Sequence, residues 1–112
     1  TNMKMIKDVM ITDFPKLILN QDISLHIVLL SMTEKKMGCC FFVDIHDKLL
    51  GILTDGDIRR NIIKHNNYLF INENMINKEF IFETDITKLV STIYVKYLPI
   101  IIENKLTHIV SL

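Results

Sequence analysis

The two halves of this 112-residue chain carry the same pattern. "KDVMI" near the start is echoed by "NENMI", and "KLILNQDIS" by "EFIFETDIT". "DKLLGILTD" is echoed by "NKLTHIVSL". A repeat of this length means one supersecondary unit used twice, with neither copy rich enough in apolar surface to close a core alone. Each copy reads as βαββα, so the expected class is mixed α+β, with the two small sheets packed together. The first copy spans residues 3–66 and the second 70–112.

In the first copy, "KLILN" is extended. Ile23, Ile27 and Leu30 then fall at helical spacing, predicting a helix from about Ile23 to Lys35. Leu25, Val28, Leu29 and Met32 widen its apolar surface, as in a helix packed on more than one side. Gly38 is placed to end it. "CCFFVD" and "LLGILT" are strands joined by a polar turn at Ile45 to Lys48. A second helix is expected from Asp57 to about His65, offering Ile58, Ile62 and Ile63 for burial. The second copy is shorter. Leu89, Val90, Ile93 and Tyr97 suggest a helical face, "LPIII" matches the first hairpin strand, and the hairpin turn is tighter.

The sharpest chemical feature is "GILTDGDIRR", residues 51–60, which holds both arginines of the chain. Every other basic side chain among the 13 Lys and Arg is a lysine. Thr54-x-x-Asp57 has the spacing of a helix capping box, which local structure alone explains. Gly56 in the first turn costs about 1 kcal/mol relative to alanine, tolerable where the backbone must lie close to something. Arg59 and Arg60 near a helix N-terminus oppose the macrodipole, unless an anion visits that turn.

Other residues point to less. Cys39 and Cys40 are adjacent on a strand and so face opposite ways, a poor geometry for a disulfide; two reduced thiols are expected. His26, His46, His65 and His108 show no ligand spacing, so packing or surface roles are expected rather than metal binding. Asp44, Asp47, Asp55 and Asp57 fit hairpin and cap roles better than a calcium loop. No Ser/His/Asp or Cys/His arrangement announces catalysis, and the six methionines read as core filler. With 13 acidic and 13 basic residues, no nucleic-acid footprint is announced. Apolar runs such as Ile27–Leu30 and Leu98–Ile102 fall far short of the ~18 residues of a membrane span. The opening Thr1-Asn2-Met3-Lys4 lacks a signal-peptide core and an initiator methionine, which suggests a piece of a longer chain or a tag remnant. The two reduced thiols suggest a cytoplasmic protein.

"GILTDGDIRR" resembles the G-h-h-T/S-x-x-D motif of CBS domains, and the repeat resembles a CBS pair (a Bateman module). More narrowly, "FPKLILNQDISLHIVLLSMTEKKMG" followed by "KLLGILTDGDIRR" is similar to the C-terminal CBS pair of arabinose 5-phosphate isomerases. There a catalytic sugar isomerase (SIS) domain precedes the pair. The resemblance implies a regulatory, non-catalytic module that binds a nucleotide or nucleotide-sugar. AMP, ATP and the cytidine-linked 3-deoxy-octulosonate of the same pathway are its candidate ligands. Asp57 would hold ribose hydroxyls, Thr54 a phosphate or sugar oxygen, and Arg59 and Arg60 would face phosphate. Backbone around Ile18 to Asn20 and Gly38 to Cys40 would form the base pocket. The second copy has His108 where Gly51 stands and no matching aspartate, so its site is expected to be degenerate. A homodimer paired through helices is expected. The alternatives are a structural dimerisation module whose site has decayed, and the CBS pair of a sugar nucleotidyltransferase.

Overall fold

The protein, here a computed structural model, is described for residues 3–65 and 70–112. Asn66, the expected end of the first copy, lies outside the described residues. Contacts divide the chain into two compact units: Phe14–Phe80, and the segment ending at Asp13 together with Ile81–Leu112.

The first unit runs β1 (Lys16–Ile18), β2 (Ile23–Ser24), α1 (Leu25–Lys35), β3 (Cys39–Val43), β4 (Leu49–Thr54), α2 (Asp55–Lys64) and β5 (Phe70–Ile71). The main sheet has the order β1-β3-β4, with β1 parallel and β4 antiparallel to β3. A parallel pair needs a crossover, and α1 supplies it. The unbroken apolar run of β3 suits a central strand covered on both faces; all five residues are buried. On one face Cys40, Phe42 and Leu53 meet Val28 and Met32 of α1 and Ile58 of α2, with Ile71 and Ile76 closing the cluster. On the other, Cys39, Phe41 and Val43 are buried, and the Phe14 ring meets Phe41 edge-on at 5.5 Å. β2 and β5 form a separate short antiparallel ribbon.

The expected helix from Ile23 begins later. Ile23 and Ser24 pair with β5, and the Ser24 hydroxyl caps α1 by accepting from the His26 N–H at 3.1 Å. Gly38 does not end it. Lys36 takes the left-handed conformation (φ 54°), while the Met37 N–H reaches the Met32 carbonyl at 3.0 Å. Only Val28 and Met32 of α1 are buried, whereas Ile27 and Leu30 stand 50% and 46% exposed. α2 begins at Asp55, directly after its cap Thr54.

In the second unit, β6 (Tyr97–Ile102) and β7 (Lys105–Ser111) form a hairpin. Glu103 and Asn104 turn it, both at positive φ, as a two-residue type I′ turn requires. Glu83 lies beside β6, its N–H bonded to Pro99 and its carbonyl to Ile101, a parallel partner reduced to one bridge. Ile6, Leu98, Ile100 and Val110 are the buried cluster. The helix expected through Leu89, Val90, Ile93 and Tyr97 is absent. A 3₁₀ turn, Val90–Thr92, occupies that stretch, and Tyr97 opens β6.

Candidate functional site

The end of β4 delivers Thr54 in extended conformation (φ −101°, ψ 166°), and the chain turns at once into α2. The capping box is complete. The Thr54 N–H donates to Asp57 Oδ2 at 3.0 Å, and the Asp57 N–H donates to Thr54 Oγ1 at 3.2 Å. The other carboxylate oxygen of Asp57 accepts from Arg60 Nη2 at 2.9 Å. The Asn61 amide donates to the Asp57 carbonyl at 2.8 Å. Burial pulls the Asp57 carboxyl upward, but the Thr54 and Arg60 donors outweigh it and hold it below the usual carboxylate value. It is therefore an ionised acceptor at neutral pH.

Gly56 explains how Arg60 gets there. A Cβ at residue 56 would stand 3.1 Å from both terminal guanidinium nitrogens of Arg60. The close approach read from the glycine is thus made by the chain's own arginine, lying back across the first turn of α2. Arg59 takes no part: it is exposed, and no partner is seen for it among the described residues.

Asp57, Arg60, Asn61 and Lys64 share one face of α2 and line an open cleft of about 330 Å³. Its far wall is Met75, Ile76 and Asn77. That wall is fixed to the edge of β4, where Ile52 and Asn77 exchange backbone hydrogen bonds at 2.9 and 2.8 Å. Gly51 makes the docking feasible, because a Cβ there would lie 2.7 Å from Ile76 Cδ1 and 2.8 Å from the Asn77 carbonyl oxygen. The wall escaped the sequence reading, which used "NENMI" only as a marker of the repeat. A glycine inside a strand was the available signal, since it marks close backbone approach.

The other expected site residues divide by position. Cys39 pairs with Thr54, and the Gly38 carbonyl accepts from the Asp55 N–H at 2.9 Å, so Gly38 belongs to the same end of the sheet as the box. Gly38 and Asp55 line a second cleft, of about 260 Å³. Cys40 is fully buried in the core, and burial pushes its thiol up to about 12. Its side chain lines none of these clefts. Ile18 pairs with Val43 at the opposite end of β3, and Asn20 lines a third cleft, of about 250 Å³, with Leu50 and Asn72. From Cys39 to Val43 the strand rises ~13 Å, so Ile18 and Asn20 do not meet the Thr54 box.

Asp44 and Asp47 serve the β3–β4 turn. Asp44 Oδ1 accepts from the His46 and Lys48 N–H groups at 2.8 and 3.0 Å, and Asp47 pairs with Lys16 at 3.1 Å. Both cysteines are free thiols. Among the described residues, no three His, Cys, Asp or Glu side chains cluster as a metal site would need, and no helix is long and apolar enough to cross a membrane.

The model of the CBS domain family matches residues 6–64. A protein of Rickettsia prowazekii is 36% identical over 61 residues, a stretch covering 54% of this chain and 19% of that relative. The match therefore spans less than a fifth of its length. Among solved structures, the CBS domain NE2398 superposes with a TM-score of 0.81 at 17% identity, covering 98% of this chain and 93% of that one. The CBS domain pair of protein MJ0100, solved with 5′-methylthioadenosine and S-adenosyl-L-methionine, gives 0.75 at 20% identity, covering 96% and 92%.

Proposed function

The chain belongs to the CBS domain family, and we propose that it is the regulatory ligand-sensing pair of a longer enzyme, taking a nucleotide or nucleotide-sugar at the start of α2. The observation that carries this reading is the ionised Asp57 carboxylate at the mouth of an open cleft, beside the cationic Arg60 and Lys64. A carboxylate accepts from ribose hydroxyls, and the guanidinium and ammonium groups answer a phosphate. The MJ0100 pair carries adenosine-type ligands on a similar fold, which supports the ligand class. The finer proposal, from the sequence resemblance, is an arabinose 5-phosphate isomerase whose SIS domain does the chemistry. Under it the module is cytoplasmic and non-catalytic, its two CBS motifs are residues 3–66 and 70–112, and AMP, ATP and the cytidine-linked sugar are its ligands. The exposed Ile27 and Leu30 of α1 are the proposed homodimer face.

A second reading is favoured by one observation: Thr54 and Arg60 already satisfy Asp57, so the box serves the fold without a ligand. The module is then a structural dimerisation unit. Calorimetry separates the two. Under the sensing reading, the parent binds a nucleotide and Asp57→Ala weakens it about tenfold to a hundredfold, the worth of hydrogen bonds to a charged group. If the parent binds no nucleotide, the structural reading stands. If Asp57→Ala binds as well as the parent, the Asp57 site is not where the nucleotide sits and the box serves the fold alone.

A further inference from the structure

The Arg60 guanidinium is in two relations at once. It is bonded to Asp57 Oδ1 at 2.9 Å, and it lies against Gly56, the one residue of the first turn without a Cβ to hold it off. The arginine side chain is nevertheless 65% exposed, and only one of its nitrogens is committed to Asp57. It is therefore held in place but not buried, and can exchange its partner without unpacking any core. The cleft it borders continues along α2 to Asn61 and Lys64.

We propose that Arg60 sets the ligand class of this cleft: folded onto Asp57 it withholds that carboxylate from uncharged nucleosides, and it yields it to ligands whose phosphate takes Asp57's place on the guanidinium. This rests on the reading of Asp57 as the ribose acceptor given above. The physical reason is an exchange of partners. An uncharged nucleoside that approaches the covered oxygen must displace a charged donor and gives that donor nothing back. A nucleotide displaces it and offers a phosphate in return, a charge-assisted and bidentate partner for arginine. The same cleft thus penalises one ligand and not the other.

The test compares two matched ligand pairs, adenosine with AMP and cytidine with CMP, by calorimetry on the full chain. The parent is expected to prefer the nucleotide of whichever pair binds. In Arg60→Gln the nucleoside gains about twofold to fivefold, the range of an exposed ion pair, while the nucleotide loses affinity. Gly56→Ala supplies an independent arm. Its Cβ lies 3.1 Å from both terminal guanidinium nitrogens and asks the flexible Arg60 head to give a few tenths of an ångström. That loosens its hold on Asp57 while keeping the positive charge, so nucleoside affinity rises by less than in Arg60→Gln, with nucleotide affinity retained. Alanine is also the better helix former, so this variant is expected to fold. Thermal melts check both variants. The proposal is overturned if Arg60→Gln weakens nucleoside and nucleotide alike, if both variants leave the ratio unchanged, or if Lys64→Gln rather than Arg60→Gln removes the preference. In those cases Asp57→Ala still weakening binding about tenfold or more would leave the sensing reading intact. A parent that binds none of the four ligands overturns this proposal, and one that also binds neither ATP nor a cytidine-linked sugar overturns the sensing reading as well.

Discussion

The two hairpins of this chain share a strand pattern and differ in what flanks them. In the first unit β3 and β4 are covered by α1 and α2, and in the second the stretch before β6 makes only a 3₁₀ turn. The segments that precede them begin almost identically, Asp22-Ile23-Ser24 and Asp85-Ile86-Thr87. Ser24 turns its hydroxyl to the His26 N–H and starts a helix. Thr87 instead donates both its hydroxyl, at 2.6 Å, and its N–H, at 3.0 Å, to Asp85 Oδ1, closing a local turn where Ser24 caps a helix. After Ser24 come the helix formers Leu25, Leu29, Leu30, Met32, Glu34 and Lys35. After Thr87 come the β-branched Val90, Thr92, Ile93 and Val95, which lose χ1 freedom in a helix. The Glu83 carboxylate then pins the loop, accepting from the Thr84 and Asp85 N–H groups and pairing with Lys88 at 2.9 Å. A run of branched residues and a turn closed on Asp85 accompany the change from helix to strapped loop.

Both cysteines sit in the first unit, and this gives the largest expected effect. Cys39 and Cys40 are fully buried, and the Cys40 thiol is raised from 9.0 to about 12. At neutral pH its reactive thiolate is then depleted about a thousandfold, before shielding by burial is counted. Labelling with a thiol reagent should proceed only as the first unit opens. A urea series followed by labelling and by circular dichroism asks whether the two units open together. Rapid labelling of both thiols in the absence of denaturant would contradict the buried β3.

The close approach at Gly51 should separate the hairpins next. Gly51→Ala drives a Cβ into Ile76 and the Asn77 carbonyl, and a backbone atom cannot step aside as a side chain can. A cost of about 1–3 kcal/mol is expected, in the range of an overpacked core. His108, at the matching place in β7, is half-buried and contacts Thr107 at 2.8 Å. His108→Ala should cost less than about 1 kcal/mol. Chemical denaturation of the two variants measures the contrast, and equal costs would remove the role given to residues 75–77.

These elements also show what the sequence could and could not reveal. Strands and hairpins were legible because alternation, turn residues and apolar runs are local. The capping box was legible for the same reason. The helix at Leu89–Tyr97 was misread because apolar spacing does not register what the branched Val90, Thr92, Ile93 and Val95 cost a helix. The cleft's wall and the partner of Arg60 are tertiary facts: a segment over twenty residues away docks on β4, and an arginine folds back over Gly56. The paired arginines drew attention to this turn, but their proximity alone did not show which of them answers Asp57.

Acid should tell the units apart more gently. Asp57 in the first unit and Glu83 in the second are both held below their ordinary values. Asp57 is held down by the Thr54 and Arg60 donors against its burial, Glu83 by the Asp85 N–H and Lys88. A carboxyl with a depressed folded value adds stability above its unfolded value, and that stability is lost as pH falls through the folded value. Stability should therefore be flat at neutral pH and decline below about pH 4. Asp57→Asn should flatten part of that decline at a cost of about 1 kcal/mol at pH 7. Glu83→Gln should flatten another part, through loss of the contacts to the Asp85 N–H and Lys88. An acid limb that neither substitution changes would show that other carboxylates govern it.

The smallest effect lies in the turns. Glu103 and Asn104 sit at φ 52° and 67°, a geometry that asparagine followed by glycine adopts with the least strain. Glu103→Asn with Asn104→Gly should stabilise the second hairpin by about 0.5–1 kcal/mol. In the first hairpin only Asp47 is left-handed, at φ 63°, and there the same remedy works against itself. Asp47→Gly relieves the backbone but removes the carboxylate that holds Lys16 of β1 at 3.1 Å. An exposed pair of this kind is worth about 0.2–1 kcal/mol, close to the strain relieved, so the net change should be near zero. Thermal melts of the two variants should show a rise for the first and none for the second. A clear gain from Asp47→Gly would mean that the Lys16 contact contributes nothing to holding β1 against β3.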